Sequence, residues 1–246
     1  MRFRTEIEAN VNPRPITADE RLVFLGSCFA DNMGTRLKQY GFDVTSNPLG
    51  PLFNPASLAS AAGRALDGRR FGSGDLTEVD GTWHCLDAAA RYCSPDSEAL
   101  LRALNDRFRA LTDALATGDC TLFVTFGTAY IYEYATTGRI VANCHRLPPD
   151  SFVRRRMSVD EITAMWRPLI ERLRQKNIRT IFTVSPVRHV ADGLHANNIS
   201  KSILMLAVDA LGVEYFPAYE IVCDDLRDYR FYAPDLKHPS ETAVDY

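Results

Sequence analysis

The stretch Val23-Phe-Leu-Gly-Ser-Cys-Phe-Ala30 decides how the chain is read. An apolar run at 22–25 stops at Gly26 and sets Ser27 and Cys28 side by side. The run is too short for a helix and shows no polar alternation, the pattern of a strand buried on both faces of a parallel sheet. The same pattern recurs along the chain. A run at 42–45 leads into Asn47-Pro-Leu-Gly50, 122–126 into Gly127-Thr128, and 178–184 into Ser185-Pro-Val-Arg-His189; a last one covers 213–216.

Helical patterns separate these runs. Residues 31–40 follow the first and stop at Gly41. Residues 55–66 have Asn54 as a cap and Pro55 at the first position. Ser94 reads as the cap of the next helix, with Pro95 and Asp96 in its first turn, an apolar stripe from Ala99 to Leu115, and Gly118 at its end. Ser158-Val-Asp-Glu161 is a capping box that opens a helix to about residue 176, in which Pro168 predicts a kink or a break. A further helix starts at Asn197 or Asn198 and runs to 211, before Gly212. Two excursions interrupt the alternation: the Gly-rich segment 67–93 around Trp83, and a hairpin at 130–142 turning at Thr136-Thr-Gly138. Arg154-Arg-Arg156, with Asp160 and Glu161 close behind, reads as a solvated approach to a helix. The alternation implies an α/β fold, one domain over 1–246, with a central, mainly parallel sheet and helices on both faces.

The 246 residues carry 28 Lys and Arg against 31 Asp and Glu, a net charge of −3. This balance gives no electrostatic case for a nucleic-acid or membrane partner. No apolar stretch nears the roughly 20 residues of a membrane span, and MRFRTEIEAN lacks the apolar core of a secretion signal. The six cysteines, 28, 85, 93, 120, 144 and 223, are scattered without a CxxC pair. They read as reduced thiols of a cytoplasmic protein, mostly core filling. Without a GxGxxG or Walker loop, no nucleotide cofactor is expected. A zinc set drawn from His145, His189, Cys144 and Asp235 lacks the usual ligand spacing, so no metal is expected either.

In open parallel sheets ligands bind outside the carboxyl ends of the strands, which selects the segments after each run. A serine on a tight strand-to-helix turn becomes a nucleophile only with a base and a group that orients the base. Among the histidines at 84, 145, 189, 195 and 238, His238 is marked out by Asp235-Leu-Lys-His238-Pro. On a Pro-bounded turn the carboxylate can meet one imidazole nitrogen and leave the other for Ser27. The plain alternative is that Ser27 caps the next helix, a common use of serine; the Asp235 and His238 spacing tips the balance toward the nucleophile. Cys28 reads as packing, a weaker rival because its side chain points away from that of Ser27. Gly127, Thr128, His145, Arg188 and His189 are pocket candidates. A lone histidine is more often a hydrogen-bonded structural residue, and Arg188 has two readings: it grips a substrate carboxylate or phosphate, or it pairs with Asp224 or Asp225.

Gly26-Ser-Cys-Phe-Ala30 resembles the signature of the GSCFA family, which is similar to the SGNH (GDSL-like) hydrolases. Asn143-Cys-His-Arg-Leu-Pro148, Ser185-Pro-Val-Arg-His189, Asn198-Ile-Ser-Lys201, Tyr215-Phe-Pro-Ala-Tyr-Glu220, Asp225-Leu-Arg-Asp-Tyr-Arg-Phe-Tyr232 and Asp235-Leu-Lys-His238 also look like its blocks, so the resemblance covers nearly the whole chain. It implies a three-layer, flavodoxin-like fold and a serine esterase working through an acyl-serine. In that reading Ser27 is the nucleophile, His238 the base and Asp235 the orienter, with an oxyanion hole from Ser27, Gly50 and Asn143. The third block departs: Thr128-Ala129 stand where those hydrolases usually carry Asn-Asp. The implied substrate is a small-molecule or glycan ester, such as an acetylated sugar or polyol. An acyltransferase on the same triad and a non-catalytic binding module are the alternatives. Such folds generally finish with a helix; Ser240-Glu-Thr-Ala reads as its start, and the chain ends before the helix is complete.

Overall fold

The computed structural model describes residues 4–7 and 14–246. In chain order the elements are β1 (Arg21–Gly26), α1 (Cys28–Gln39), β2 (Asp43–Ser46), α2 (Pro55–Leu66), β3 (Thr77–Val79), β4 (Thr82–His84), β5 (Cys93–Ser94) and α3 (Ser97–Thr117). Then come β6 (Thr121–Phe126), β7 (Tyr130–Tyr134), β8 (Arg139–Val141), β9 (Phe152–Arg156), α4 (Val159–Gln175), β10 (Arg179–Val184), α5 (Leu194–Leu211), β11 (Glu214–Tyr215), α6 (Ala218–Glu220) and α7 (Glu241–Asp245). Among the described residues no helix is long and apolar enough to cross a membrane.

The central sheet is wholly parallel, in the order β11-β10-β6-β1-β2. Leu22 faces Val44 on one side and Thr121 on the other, so β1 lies inside the sheet. Its side chains alternate between two cores. Val23 and Leu25 pack with α2 to α5, while Leu22 and Phe24 pack with Met33 and Leu37 of α1. Right-handed crossovers explain the division. The chain leaves β1 in one direction through α1 and β2, then returns past β1 to β6, so later helices cover the opposite face. The order therefore reverses between β1 and β6, the place at which ligands bind in open parallel sheets. Ser27 follows β1 and Gly127 follows β6, on either side of that point.

Several local expectations shift. Helix α1 starts at Cys28 rather than at 31, because Ser27 itself caps it. Asp96, not Ser94, caps α3: its carboxylate accepts the N–H groups of Glu98 and Ala99, while Ser94 lies in β5. Helix α4 runs unbroken through Pro168. Proline removes the bond to the Ala164 carbonyl, and both residues face solvent, where water replaces it. The triple arginine is strand β9, not a helix approach: it pairs with β7, and the Arg154 guanidinium lies 4.0 Å from the Tyr130 ring centroid. Helix α5 opens at Leu194, ahead of Asn197, whose side chain serves another contact. The last strand contracts to Glu214–Tyr215.

Candidate active site

Ser27 sits where β1 passes into α1 because Gly26 lets the two central strands close up there. A Cβ on Gly26 would lie 2.5 Å from Thr125 Cβ and 2.6 Å from the Thr125 carbonyl oxygen. Asn47, buried and at φ 39°, clamps the turn: its Oδ1 accepts the Gly26 N–H at 2.8 Å and its Nδ2 donates to the Ser27 carbonyl at 3.3 Å. The hydroxyl of Ser27 accepts the Phe29 N–H at 3.3 Å and donates to Ser185 Oγ at 3.0 Å. Both readings of the serine therefore meet at one atom: it caps a helix at the rim where a nucleophile would stand. The opening end of α1 favours negative charge at the same place.

The Asp235 and His238 turn forms as expected. His238 Nδ1 is 2.6 Å from Asp235 Oδ2, and Asp235 Oδ1 also accepts the N–H groups of Lys237 and His238 at 3.0 and 3.1 Å. These bonds, that from the imidazole first, hold the Asp235 carboxyl well below the usual carboxylate range. Leu236 takes φ 58° to make the turn, and the loop is tied down by Ala233 N–H to the His238 carbonyl at 2.8 Å and Arg188 N–H to the Lys237 carbonyl at 3.1 Å. The Cys28 thiol, raised chiefly by burial, is raised further by the charges of Asp31 and Asp235. Among the described residues no hydrogen bond joins Ser27 to His238. The serine is buried and turned to Ser185, while the histidine is part-exposed. Cys28 keeps its proton, which disfavours it as a rival nucleophile.

The other candidates divide. Gly50, at φ 79° against Ala89, has its N–H closed into a turn on the Asn47 carbonyl at 2.7 Å. Asn143 is engaged elsewhere, its Oδ1 accepting the His145 N–H at 2.8 Å and its own N–H donating to the Leu86 carbonyl. His145 is buried against His84, Nδ1 to Nδ1 at 3.4 Å, and its Nε2 donates to the Ala88 carbonyl at 3.0 Å. Burial lowers both imidazoles, so the pair is a neutral structural contact between the 67–93 excursion and the segment after β8. Gly127 and Thr128 both donate their N–H groups to the Phe53 carbonyl at 2.8 Å, and Thr128 Oγ1 turns inward to Ser200 Oγ at 3.2 Å. His189 lies edge-on to Phe53; its Nε2 is buried without a hydrogen-bond partner among the described residues, and burial followed by Lys201 lowers it to about 4. Among the described residues no group of three or more His, Cys, Asp or Glu side chains could hold a metal ion.

The GSCFA family model matches residues 21–246. The chain belongs to the GSCFA family. No curated protein matches it. Among solved structures, the psychrotrophic esterase EstA from Pseudoalteromonas sp., in a structure inhibited by monoethylphosphonate, is similar at 10% identity and a TM-score of 0.37. That match covers 92% of this chain and 91% of the other.

In this GSCFA protein three residues of α5 hold the rim together. Asn197 Oδ1 accepts the His189 N–H at 3.0 Å, and Ser200 Oγ accepts the Ala129 N–H at 2.8 Å. Lys201, fully buried, donates from Nζ to the carbonyls of Gly127 and Ser185 at 2.6 Å each. Burial lowers its ammonium from 10.5 to about 7. The amine thereby joins the ends of β6 and β10 and fixes the backbone of Ser185, the residue that Ser27 touches. Sequence reading placed Lys201 and Ser185 in blocks that look like those of the family and gave neither a role. The available signal was polar residues at i, i+3 and i+4 on an otherwise apolar helix, and those spacings share one face.

Proposed function

We propose that the protein is a carboxylic ester hydrolase acting through an acyl-Ser27 intermediate. The observation that supports this most is the His238 and Asp235 pair at 2.6 Å, on a loop bonded through Lys237 to the segment that carries Ser185, the hydroxyl partner of Ser27. Rotation of the Ser27 side chain would exchange Ser185 for Nε2 of His238, which has no hydrogen-bond partner among the described residues. Oγ then attacks the ester carbonyl carbon as its proton passes to His238 Nε2, and Asp235 fixes the tautomer and balances the imidazolium. Collapse of the tetrahedral intermediate breaks the bond to the alcohol, which leaves with that proton. Water, activated by the same imidazole, releases the acid. The oxyanion faces the start of α1 and the Ser27 N–H; Gly50 contributes once its N–H leaves the Asn47 carbonyl, and the amide of Asn143 is the third donor.

A small acyl group on a sugar or polyol rests on analogy with the hydrolases that the family resembles. An acceptor alcohol in place of water makes the same residues a transferase. Six unpaired thiols fit a reducing cytoplasm. A second reading, a non-catalytic binding module, is favoured by the burial of Ser27 and by the inward turn of Thr128.

A fluorophosphonate probe separates the two readings. Adduct at Ser27 in the wild type, mapped by mass spectrometry and lost in His238→Ala, is expected of an activated serine. Absence of labelling, or labelling indifferent to His238, would turn the reading to a binding module.

A further inference from the structure

A cavity of about 180 Å³ lies beside these residues, bounded by Pro186 and Arg188 on the loop after β10, Asn197 and Asn198 on α5, and Cys223 and Tyr229. We propose that it is an anion subsite of the Ser27 centre, in which Arg188 and Asn198 hold a carboxylate or phosphate group carried by the ester substrate. The inference rests on the reading of Ser27 as the reacting serine and adds the class of ester it takes.

The chemistry of the walls is that of a donor set. The Arg188 guanidinium lies 4.1 Å from the ring centroid of Tyr232 and 5.4 Å from that of Tyr229. Stacking covers its face, and the hydroxyls of Tyr232 and Tyr229 accept from part of its N–H edge; a guanidinium has five N–H donors, so others remain to grip an anion's oxygens. Among the described residues no carboxylate pairs with it. Asp225, one of its two expected partners, is taken by Arg4 and by the Tyr246 hydroxyl. Asn197 Nδ2 donates to Asn198 Oδ1 at 3.1 Å, which orients the Asn198 amide and leaves its Nδ2 donors without a partner among the described residues. No acidic side chain lines the cavity. Its volume is many times the roughly 15 Å³ of such space that one water needs, room for a carboxylate or phosphate head.

Its position ties it to the reaction centre twice over. Ser185 Oγ contacts Ser27 Oγ, and Arg188 lies three residues further, at most about 11 Å between Cα atoms. The Arg188 N–H donates to the carbonyl of Lys237, the neighbour of His238. A half-ester of a short dicarboxylic acid, or an ester of a phosphorylated alcohol, spans both places.

The test compares p-nitrophenyl butyrate with p-nitrophenyl hemiglutarate, esters that differ in a terminal carboxylate. The wild type is expected to prefer the hemiglutarate by about tenfold or more in kcat/KM, the scale of one charge-assisted contact. Arg188→Met brings that ratio toward one, and Arg188→Lys, which keeps charge without the planar fork, falls between. A wild-type ratio near one, or a ratio that Arg188→Met leaves unaltered, overturns the proposal. If neither ester is turned over, the Ser27 reading fails on its own, and isothermal titration of the full chain with glutarate and with inorganic phosphate decides the subsite. Saturable binding weakened about tenfold or more in Arg188→Met sustains it, and the ligand that binds identifies the group. Binding of neither overturns it.

Discussion

Exchanging Lys201 for methionine keeps the length of the side chain and removes its amine. In the folded protein Nζ donates to two carbonyls at 2.6 Å, and burial brings its pKa from 10.5 to about 7. A neutral amine still has two N–H donors, one for each carbonyl, so losing the third proton leaves both bonds intact. In the unfolded chain the lysine titrates at its ordinary value. Across the window from 7 to 10.5 the unfolded state therefore binds the extra proton, and stability rises with pH by up to about 1.4 kcal/mol per unit. Below that window the amine is protonated in both states and contributes no slope. Buried Cys85, Cys120 and Tyr215, whose pKa values are raised, act in the opposite direction at alkaline pH. They are common to wild type and Lys201→Met, so the difference between the two proteins isolates Lys201. Guanidinium unfolding at about pH 7.5 and about pH 9.5 should show the wild type gaining about 2–3 kcal/mol over the variant. At the higher pH the variant is also weaker because two buried carbonyls lose donors, at about 1–3 kcal/mol each. Parallel pH profiles in the two proteins would refute the neutral amine.

Gly26→Ala forces a Cβ to within 2.5 Å of Thr125 Cβ and is expected to destabilise by about 2–3 kcal/mol, read as a lower guanidinium midpoint. An unchanged midpoint would mean that β1 and β6 do not need their close approach. Asn47→Gly tolerates φ 39° but loses the bonds to Gly26 and Ser27, so fluorophosphonate labelling of Ser27 should fall by about tenfold while most of the protein stays folded. Equal labelling per folded molecule would show that the clamp does not position the serine. Ser185→Ala frees the Ser27 hydroxyl from its resting partner and should speed that labelling by about two- to tenfold. Slower labelling would instead make Ser185 an orienting residue.

The parallel sheet was readable because its inner strands β1, β6 and β10 are buried on both faces over most of their length and each leads into a glycine or a polar turn. The turn from Asp235 to His238 was readable for the same local reason, since three residues suffice to return a carboxylate to an imidazole. What eluded the sequence lies in competition among partners. Asn143 has the right side chain for an oxyanion donor, and what the sequence does not show is that the nearby His145 N–H binds its Oδ1 and so fixes where the Nδ2 donors point. Gly50 has the φ of a tight turn, and that same turn closes its N–H on Asn47. Arg154, Arg155 and Arg156 carry no apolar alternation, so β9 is held by side chains that a pattern search discounts: Arg154 lies over Tyr130, and Arg155 pairs with Glu133 and Glu161. Lys201 is hardest of all, because nothing along the chain reveals that a lysine will meet two strand-end carbonyls from 16 and 74 residues away.

The buried amine of α5 has a consequence for how the chain selects one packing. An apolar helix against an apolar sheet can slide by a turn or roll by one residue at small cost, since one aliphatic contact replaces another. Asn197, Ser200 and Lys201 remove that freedom. A shifted α5 would carry a buried amine away from two carbonyls and leave the His189 and Ala129 N–H groups unanswered. Each such loss costs about 1–3 kcal/mol, a large part of the margin by which a domain is stable. The three residues act as a key cut for one lock: they set the register of the helix and, through it, the alignment of the two loops that flank Ser27.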